Sequence, residues 1–159
     1  MFAYSIALLL VLAACAEKKA PEQAAKPLRS QAEIDEEKIQ AYLSAQGITD
    51  AQALPSGIYY IIETPGGDAH PTVSSTVTVS YKGTTLDGTV FDQTEPGKSI
   101  TFPLSDLIRG WQEGIPLIGP GGKIKLIIPA MLAYGPQSPS PAIPPYSVLA
   151  FDIELIGFE

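Results

Sequence analysis

Three segments of this chain alternate between apolar and polar residues, and that pattern constrains the fold most strongly. They are Thr76 to Lys82, Lys123 to Ile128 and Leu149 to Leu155. A period of two is typical of a β-strand with one buried and one solvated face. Strands of this kind occur in antiparallel sheets, because parallel sheets are usually covered on both faces. We therefore predict a twisted antiparallel sheet, to which the apolar run Ile58 to Ile62 adds a strand.

Two shorter strands are predicted between these segments. Asp87-Gly88 is a hairpin signal, and it turns the chain back into Val90-Phe91-Asp92. The run Ile100 to Phe102 then forms another short strand.

The apolar face of this sheet requires a cover, and one is available in the same part of the chain. From about Leu104 to Ile118 apolar residues recur at helical spacing, before a Gly-Pro-Gly-Gly run ends the segment. They are Leu107, Ile108, Trp111 and Ile115. One short α-helix against an antiparallel sheet is an α+β arrangement, which we predict for residues 57–159.

A second helix is predicted ahead of this domain, within residues 30–56. Ser30-Gln31-Ala32-Glu33 fits a capping box, the apolar positions Ile39, Tyr42 and Leu43 follow, and Gly47 is a natural C-terminal stop. We expect an amphipathic helix from about Gln31 to Gln46. Its narrow apolar stripe predicts docking on the main domain or, alternatively, on a second copy of the chain.

The N-terminal residues have the features of an export signal. Residues 2–14 carry no charge and are nearly all apolar, which is the length of a signal-peptide core and short of the roughly 20 residues of a membrane span. The run ends in Leu12-Ala13-Ala14-Cys15, which resembles the bacterial lipobox, although no Lys or Arg precedes it. We predict a signal peptide at residues 1–14, lipidation of Cys15 and a flexible tether at residues 15–29. An uncleaved anchor, or a secretory peptide with an incidental cysteine, is the alternative.

The composition excludes several classes of function. The net charge of −7 argues against nucleic acid as a partner, since a basic face is the usual footprint of such binding. Cys15 is the only cysteine and His70 the only histidine. A disulfide within the chain and a cysteine zinc site are therefore excluded, and we predict neither a metal nor a cofactor.

Several short motifs, taken in order, resemble the FKBP-type peptidyl-prolyl cis-trans isomerases, in the lipoprotein form found in bacteria. The resemblance covers about Gly57 to Glu159. The motifs are Tyr81, Gly88-x-x-Phe91-Asp92, Ile108-Arg109-Gly110-Trp111-x-Glu113-Gly114, Ala133-Tyr134-Gly135, Ile143-Pro144-Pro145 and Leu149-x-Phe151-Asp152-x-Glu154-Leu155.

The resemblance implies an apolar substrate pocket with a few polar groups. Tyr134 is expected to present its hydroxyl to a substrate carbonyl, the Ile108 amide to bind another, and Asp92 to lie at the rim beside Tyr81. The apolar lining is expected to comprise Phe91, Ile100, Phe102, Leu107, Ile108, Trp111, Ile143 and Phe151. Ile100 stands where many members have an aromatic residue, which would weaken binding of the macrolide inhibitors of the family. In the loop from Pro136 to Pro141, Pro139 stands where relatives often carry His, and the glycines common there are absent.

The implied activity is isomerisation of prolyl peptide bonds in exported proteins. The expected partners are proline-containing segments of unfolded or exported proteins and, through Cys15, a membrane of the bacterial cell envelope. The alternative function is a non-catalytic, membrane-tethered holdase that binds peptides in the same pocket.

Overall fold

The computed structural model describes residues 29–159. The predicted signal peptide at 1–14, Cys15 and all of the tether except Arg29 lie outside these residues. Within these described residues there are two α-helices, α1 (Gln31–Gln46) and α2 (Arg109–Gly114). The strands are β1 (Gln52–Ala53), β2 (Tyr59–Thr64), β3 (Thr76–Thr85), β4 (Val90–Gln93), β5 (Ile100–Pro103), β6 (Lys123–Ile128) and β7 (Leu149–Phe158). No helix within residues 29–159 is long and apolar enough to cross a membrane.

The strands form one sheet in the order β1-β2-β6-β7-β3-β4, in which β5 also pairs with β3. Every pairing is antiparallel, as the alternating pattern predicts. The first half of β3 pairs with β5, and its second half pairs with β4 through the predicted hairpin at Gly88. The inward side chains of β3, β6 and β7 make the main core with those of α2. The predicted α+β fold is confirmed.

The helical cover differs from the prediction of one helix over Leu104 to Ile118. Leu104–Asp106 and Ile115–Leu117 are short 3-10 helices, and α2 between them has six residues. Leu107 is extended, with φ −90° and ψ 168°. Its carbonyl accepts a 2.7 Å hydrogen bond from the side chain of Gln112, which fixes the break just before α2. Helical spacing alone does not report such a break.

Helix α1 has the predicted bounds because both of its caps are formed. The Ser30 hydroxyl accepts a hydrogen bond from the Glu33 amide, and the Glu33 carboxylate accepts one from the Ser30 amide. This reciprocal pair satisfies two amides that the first turn cannot satisfy internally. At the other end Gly47 adopts φ +67°, a left-handed conformation that glycine reaches without steric cost.

Helix α1 docks on the outer face of the sheet in its own chain. Ile39 and Leu43 are buried against Ile127 of β6 and Val148. The expectation that this face is entirely solvated is therefore wrong at this end. The reason is Ile127, an apolar residue on the outer face that follows Lys125 by two positions.

Elsewhere the outer face carries charges, as expected. Lys125 pairs with Asp152, and Lys123 Nζ lies 3.5 Å from Glu154 Oε2. These are exposed pairs between adjacent strands, so each contributes at most about 1 kcal/mol.

Candidate functional site

A small cavity opens between α2 and the inner face of the sheet, with a volume of about 190 Å³. Its lining combines aromatic rings with two hydroxyls and one carboxylate. The lining residues are Tyr81, Phe91, Asp92, Phe102, Leu107, Ile108, Trp111, Tyr134 and Phe151. They come from four strands, from the segment that leads into α2, from α2 itself and from the loop after β6. A site assembled in this way depends on four of the strands and on their packing against α2.

The rings that form the cavity pack edge to face. The ring centroids of Trp111 and Tyr81 are 5.0 Å apart, and those of Trp111 and Phe151 are 5.3 Å apart. Phe91 meets Phe151 at 5.5 Å. In all three pairs the ring planes are within a few degrees of perpendicular, at 84° or 86°. This geometry places the positive edge of one ring against the negative face of the next, so the apolar walls are mutually fixed.

Tyr81 and Asp92 form the polar contact of the cavity. The Tyr81 hydroxyl donates a 2.5 Å hydrogen bond to Asp92 Oδ2. Burial raises the pKa of the Tyr81 phenol well above its ordinary value, and the hydrogen bond to Asp92 and the negative charge of Asp92 raise it further. Tyr81 is therefore a proton-bearing group throughout the neutral range, and it orients Asp92 at the rim.

Tyr134 follows a 3-10 turn at Ala130–Leu132, after β6 ends. The half-buried ring stands beside Gly135, which adopts φ +57°. Burial raises the pKa of the Tyr134 phenol, and the charge of Asp92 adds to this effect. Its hydroxyl is thus a hydrogen-bond donor at neutral pH.

The segment before α2 presents a backbone donor to the same cavity. Ile108 is the N-cap of α2, and its carbonyl accepts hydrogen bonds from the amides of Trp111 and Gln112. Among the described residues its own amide donates to no protein acceptor. The Ile108 amide therefore remains available to a ligand carbonyl.

Two of the predicted lining residues lie outside the cavity. Ile143 is 4% exposed and packs into the main core. Ile100 is 43% exposed near the start of the edge strand β5. It lies two residues before Phe102 and so shares that side of the strand, but it is one step too far from the cavity to line it.

Two residues that shape the site were missed by the sequence reasoning. Gly83 in β3 allows the rings of Phe91 and Phe151 to approach the strand, since a Cβ at Gly83 would lie 2.6 Å from Phe91 Cζ. Gln112 holds the extended segment in front of α2 through the Leu107 carbonyl. A glycine inside a strand is a recognisable signal of close approach. The Gln112 contact leaves no such signal.

The remaining polar groups do not add a metal or a nucleophile to the cavity. Within residues 29–159 no three residues of the metal-binding types are grouped so that they could hold an ion. His70 lies elsewhere, where its Nδ1 is 2.8 Å from the carbonyl oxygen of Pro116. The groups that line the cavity are aromatic and aliphatic side chains with two phenols and one carboxylate.

Three larger depressions in the described part of the chain lie away from the cavity. One, of about 600 Å³, lies on the outer face of the sheet and is bordered by charged residues such as Lys82 and Glu154. A second, of about 450 Å³, lies between the β3–β4 hairpin and the loop that contains Tyr146. The third, of about 280 Å³, lies beside α1 at Leu43. Of these depressions, all within residues 29–159, the smaller, aromatic cavity is the one that combines an apolar lining with convergent polar groups, which is the usual character of a ligand site.

The chain is similar to known proteins in both sequence and structure. Residues 67–156 match the family model described as FKBP-type peptidyl-prolyl cis-trans isomerase. The outer membrane protein MIP of Legionella longbeachae is 46% identical over 131 residues, which are 79% of this chain and 55% of that protein. The crystal structure of FkpA from Escherichia coli superposes with a TM-score of 0.70 at 39% identity, covering 80% of this chain and 61% of that one.

A third comparison gives the same fold over nearly all of the matched protein. The peptidyl-prolyl cis-trans isomerase of Pseudomonas syringae pv. tomato superposes with a TM-score of 0.69 at 28% identity, covering 83% of this chain and 98% of that one. The chain spans about half the length of the curated relatives it matches.

Proposed function

Because the chain belongs to the FKBP-type peptidyl-prolyl cis-trans isomerase family, we propose that it catalyses the cis-trans isomerisation of prolyl peptide bonds. The observation that carries this proposal is the cavity itself. Nine of the eleven side chains expected for the substrate site line one small depression with fixed aromatic walls.

A cavity of this kind matches the demands of the reaction. Rotation about a peptide bond faces a barrier of about 18–20 kcal/mol, because resonance gives the C–N bond double-bond character. Water favours the planar, dipolar form by hydrogen bonding to its carbonyl. An apolar cavity removes that hydration. The free energy of the planar form therefore rises more than that of the twisted form, which has lost the resonance. Contacts that fit the twisted form better than either planar isomer lower the barrier further.

Each group in the cavity has a defined task in this proposal. Trp111 forms the floor against which the proline ring packs, and Phe151 and Phe102 are walls that exclude water. The Tyr134 hydroxyl and the Ile108 amide donate to substrate carbonyls on either side of the rotating bond. No covalent bond is made or broken, so the proposal requires no nucleophile and no cofactor.

The polar rim has a separate task, which is to keep one geometry. Tyr81 donates to Asp92 and thereby keeps the carboxylate in place. The negative charge of Asp92 in turn favours the protonated state of the Tyr134 phenol. In this proposal Asp92 and Tyr81 fix the geometry of the rim and take no part in proton transfer.

The proposed substrates are proline-containing segments of unfolded or exported proteins in the bacterial cell envelope. A relative named as an outer membrane protein supports this location, as does the apolar N-terminal run that ends at Cys15. In this proposal residues 1–14 are removed, the lipid on Cys15 anchors the chain facing the periplasm or the cell exterior, and residues 15–29 are the tether. Residues 30–56 are an extension of the isomerase domain at 57–159. The macrolides of the family are proposed inhibitors, although a cavity of about 190 Å³ accommodates only part of such a molecule.

The decisive experiment measures prolyl isomerisation in a short peptide by exchange NMR with the full chain. We expect the cis-trans exchange rate to rise in proportion to protein concentration. Trp111→Leu, which keeps an apolar floor but removes the indole, is expected to lower that rate. Peptide binding without any acceleration of exchange would refute the isomerase and would establish the non-catalytic binding module instead.

A further inference from the structure

Asp35 is a buried carboxylate that lies on α1, outside the cavity. It is 1% exposed, although it belongs to a helix whose other charged residues face solvent. A carboxylate is costly to bury unless its oxygens are hydrogen-bonded. Both oxygens have partners, since Oδ1 accepts from Gln31 Nε2 at 2.7 Å and Oδ2 accepts from the Ala130 amide at 2.9 Å.

The second of these bonds reaches the turn that carries Tyr134. The peptide unit ending at the Ala130 amide is held by Asp35, and the Ala130 carbonyl accepts hydrogen bonds from the amides of Ala133 and Gly135. The Gly135 amide nitrogen lies 2.8 Å from the Ala130 carbonyl oxygen. Tyr134 therefore lies between two residues whose amides are tied to Ala130, and Ala130 is tied to α1.

The same network continues into the loop after Tyr134. The Gly135 carbonyl accepts a 2.7 Å hydrogen bond from the Tyr146 amide. Tyr146 adopts φ +57°, a left-handed conformation that a residue with a side chain holds only when its surroundings enforce it. These hydrogen bonds link Asp35 to Ala130, Ala130 to Gly135, and Gly135 to Tyr146. They form one continuous path from α1 into this loop.

The docking of α1 does not explain Asp35. Ile39 and Leu43 already bury the apolar stripe against the sheet. An apolar residue at position 35 would serve docking without the cost of a buried charge. What an acceptor provides here, and an apolar side chain does not, is a partner for the buried Ala130 amide.

We propose that Asp35 is a positioning residue for the isomerase site, which fixes the orientation of Tyr134 through Ala130 and Gly135. This inference rests on the proposed function, in which Tyr134 binds substrate. It makes α1 part of the catalytic domain in a functional sense. The bound substrate carbonyl meets a Tyr134 hydroxyl whose backbone is held by a residue nearly a hundred positions earlier in the chain.

The test compares Asp35→Ala, Asp35→Asn and the control Leu43→Ala by their separate kcat and KM values. Asp35→Ala removes the acceptor and is expected to lower kcat/KM by about 3–10-fold, the range of one lost hydrogen bond. Asp35→Asn keeps an oxygen for the Ala130 amide, and the side-chain amide of Gln31 can turn to meet the new NH2 group. We expect Asp35→Asn to stay within about twofold of the wild type. Should Asp35→Ala fail to fold, Asp35→Leu takes its place.

Leu43→Ala is the matched control for a general loosening of α1. Leu43 lies two turns beyond Asp35 and is buried on the same helix, so its truncation weakens docking and leaves the Asp35 bond in place. We expect Leu43→Ala to lower stability with little change in kcat/KM. Equal losses of kcat/KM in Leu43→Ala and Asp35→Ala would overturn the proposal.

Amide hydrogen exchange supplies a readout that is independent of activity. In Asp35→Ala the amides of Ala130 and Gly135 are expected to exchange faster, whereas that of Ile153 in the central strand β7 is unchanged. Unaltered exchange at Gly135 would refute the positioning role. If the wild-type chain accelerates no isomerisation, the proposed function fails, and the exchange result still decides whether Asp35 holds the Tyr134 turn.

Discussion

Gly83 lies so close to Phe91 that no side chain fits between them. A Cβ at Gly83 would come within 2.6 Å of Phe91 Cζ and within 2.9 Å of Phe151 Cε1. Gly83 pairs with Asp92 on one side and with Phe151 on the other. The two rings that wall the cavity therefore close over a strand position that must lack a side chain.

Gly83→Ala is expected to destabilise the fold by about 1–3 kcal/mol, the cost of forcing a methyl group into a packed site. Because Phe91 and Phe151 would have to move, kcat/KM should fall as well. Urea unfolding and the isomerisation assay measure the two effects. Gly157→Ala in β7 is the control, since nothing lies within 4 Å of a Cβ there. A neutral Gly83→Ala variant would contradict the proposed packing of the wall.

Tyr134→Phe should cost no more than about tenfold in kcat/KM, because it removes one hydrogen bond worth about 0.5–1.5 kcal/mol. Phe151→Leu should cost more, since the smaller side chain admits water and loses its edge-to-face contacts with Trp111 and Phe91. Steady-state kinetics under conditions in which both variants are folded will compare them. A loss of several orders of magnitude in Tyr134→Phe would mean that the hydroxyl transfers a proton.

The activity should be nearly independent of pH from about pH 6 to about pH 8.5. The phenols of Tyr81 and Tyr134 have raised pKa values, so both remain protonated throughout this window. His70 lies against Pro116, outside the cavity. Isomerisation rates at constant ionic strength, corrected for the uncatalysed rate, test this. An inflection near neutrality that disappears in His70→Ala would place the histidine in the mechanism.

Stability should depend on pH in the alkaline range instead. The folded-state pKa of Tyr81 lies above its unfolded value of about 10, because burial and Asp92 disfavour the phenolate. The stabilisation is fully present below the unfolded pKa and is lost as the pH rises through the folded pKa. Unfolding free energies at several values above pH 9 should fall less steeply in Tyr81→Phe than in the wild type. Tyr146→Phe, which removes an exposed phenol, is the matched control variant.

Cys15 is predicted to carry lipid, with residues 1–14 absent from the mature chain. Mass spectrometry of the membrane fraction should find an acylated peptide that begins at Cys15. Cys15→Ser should release the protein from the membrane without lowering kcat/KM. Recovery of a peptide that contains Met1 from mature protein would refute the prediction.

The elements that the sequence predicts best are those defined by neighbouring residues. The capping box at Ser30 and the left-handed Gly47 delimit α1, and the alternation of Lys123 to Ile128 delimits β6. These signals are local, so they are visible in a short window. The split before α2 is not predictable in this way, because it depends on the Gln112 side chain and the Leu107 carbonyl.

The cavity residues also differ in how well the sequence predicts them. Nine of the eleven residues predicted through the family motifs line the cavity, and the other two lie outside it. Ile143 is packed into the core and Ile100 is displaced along an edge strand, differences that depend on loop and strand geometry. Asp35 was overlooked as a polar helix residue because its partner, Ala130, is 95 positions away.

The order of the strands also determines when this domain can form during synthesis. β7 lies between β6 and β3, and it follows every other described strand in the sequence. β3 thus pairs with a strand about 70 residues later, and contacts of such separation slow folding. A nascent chain that has not yet supplied β7 has no central strand and no Phe151. The growing polypeptide therefore cannot complete its own binding cavity until nearly the whole domain has emerged.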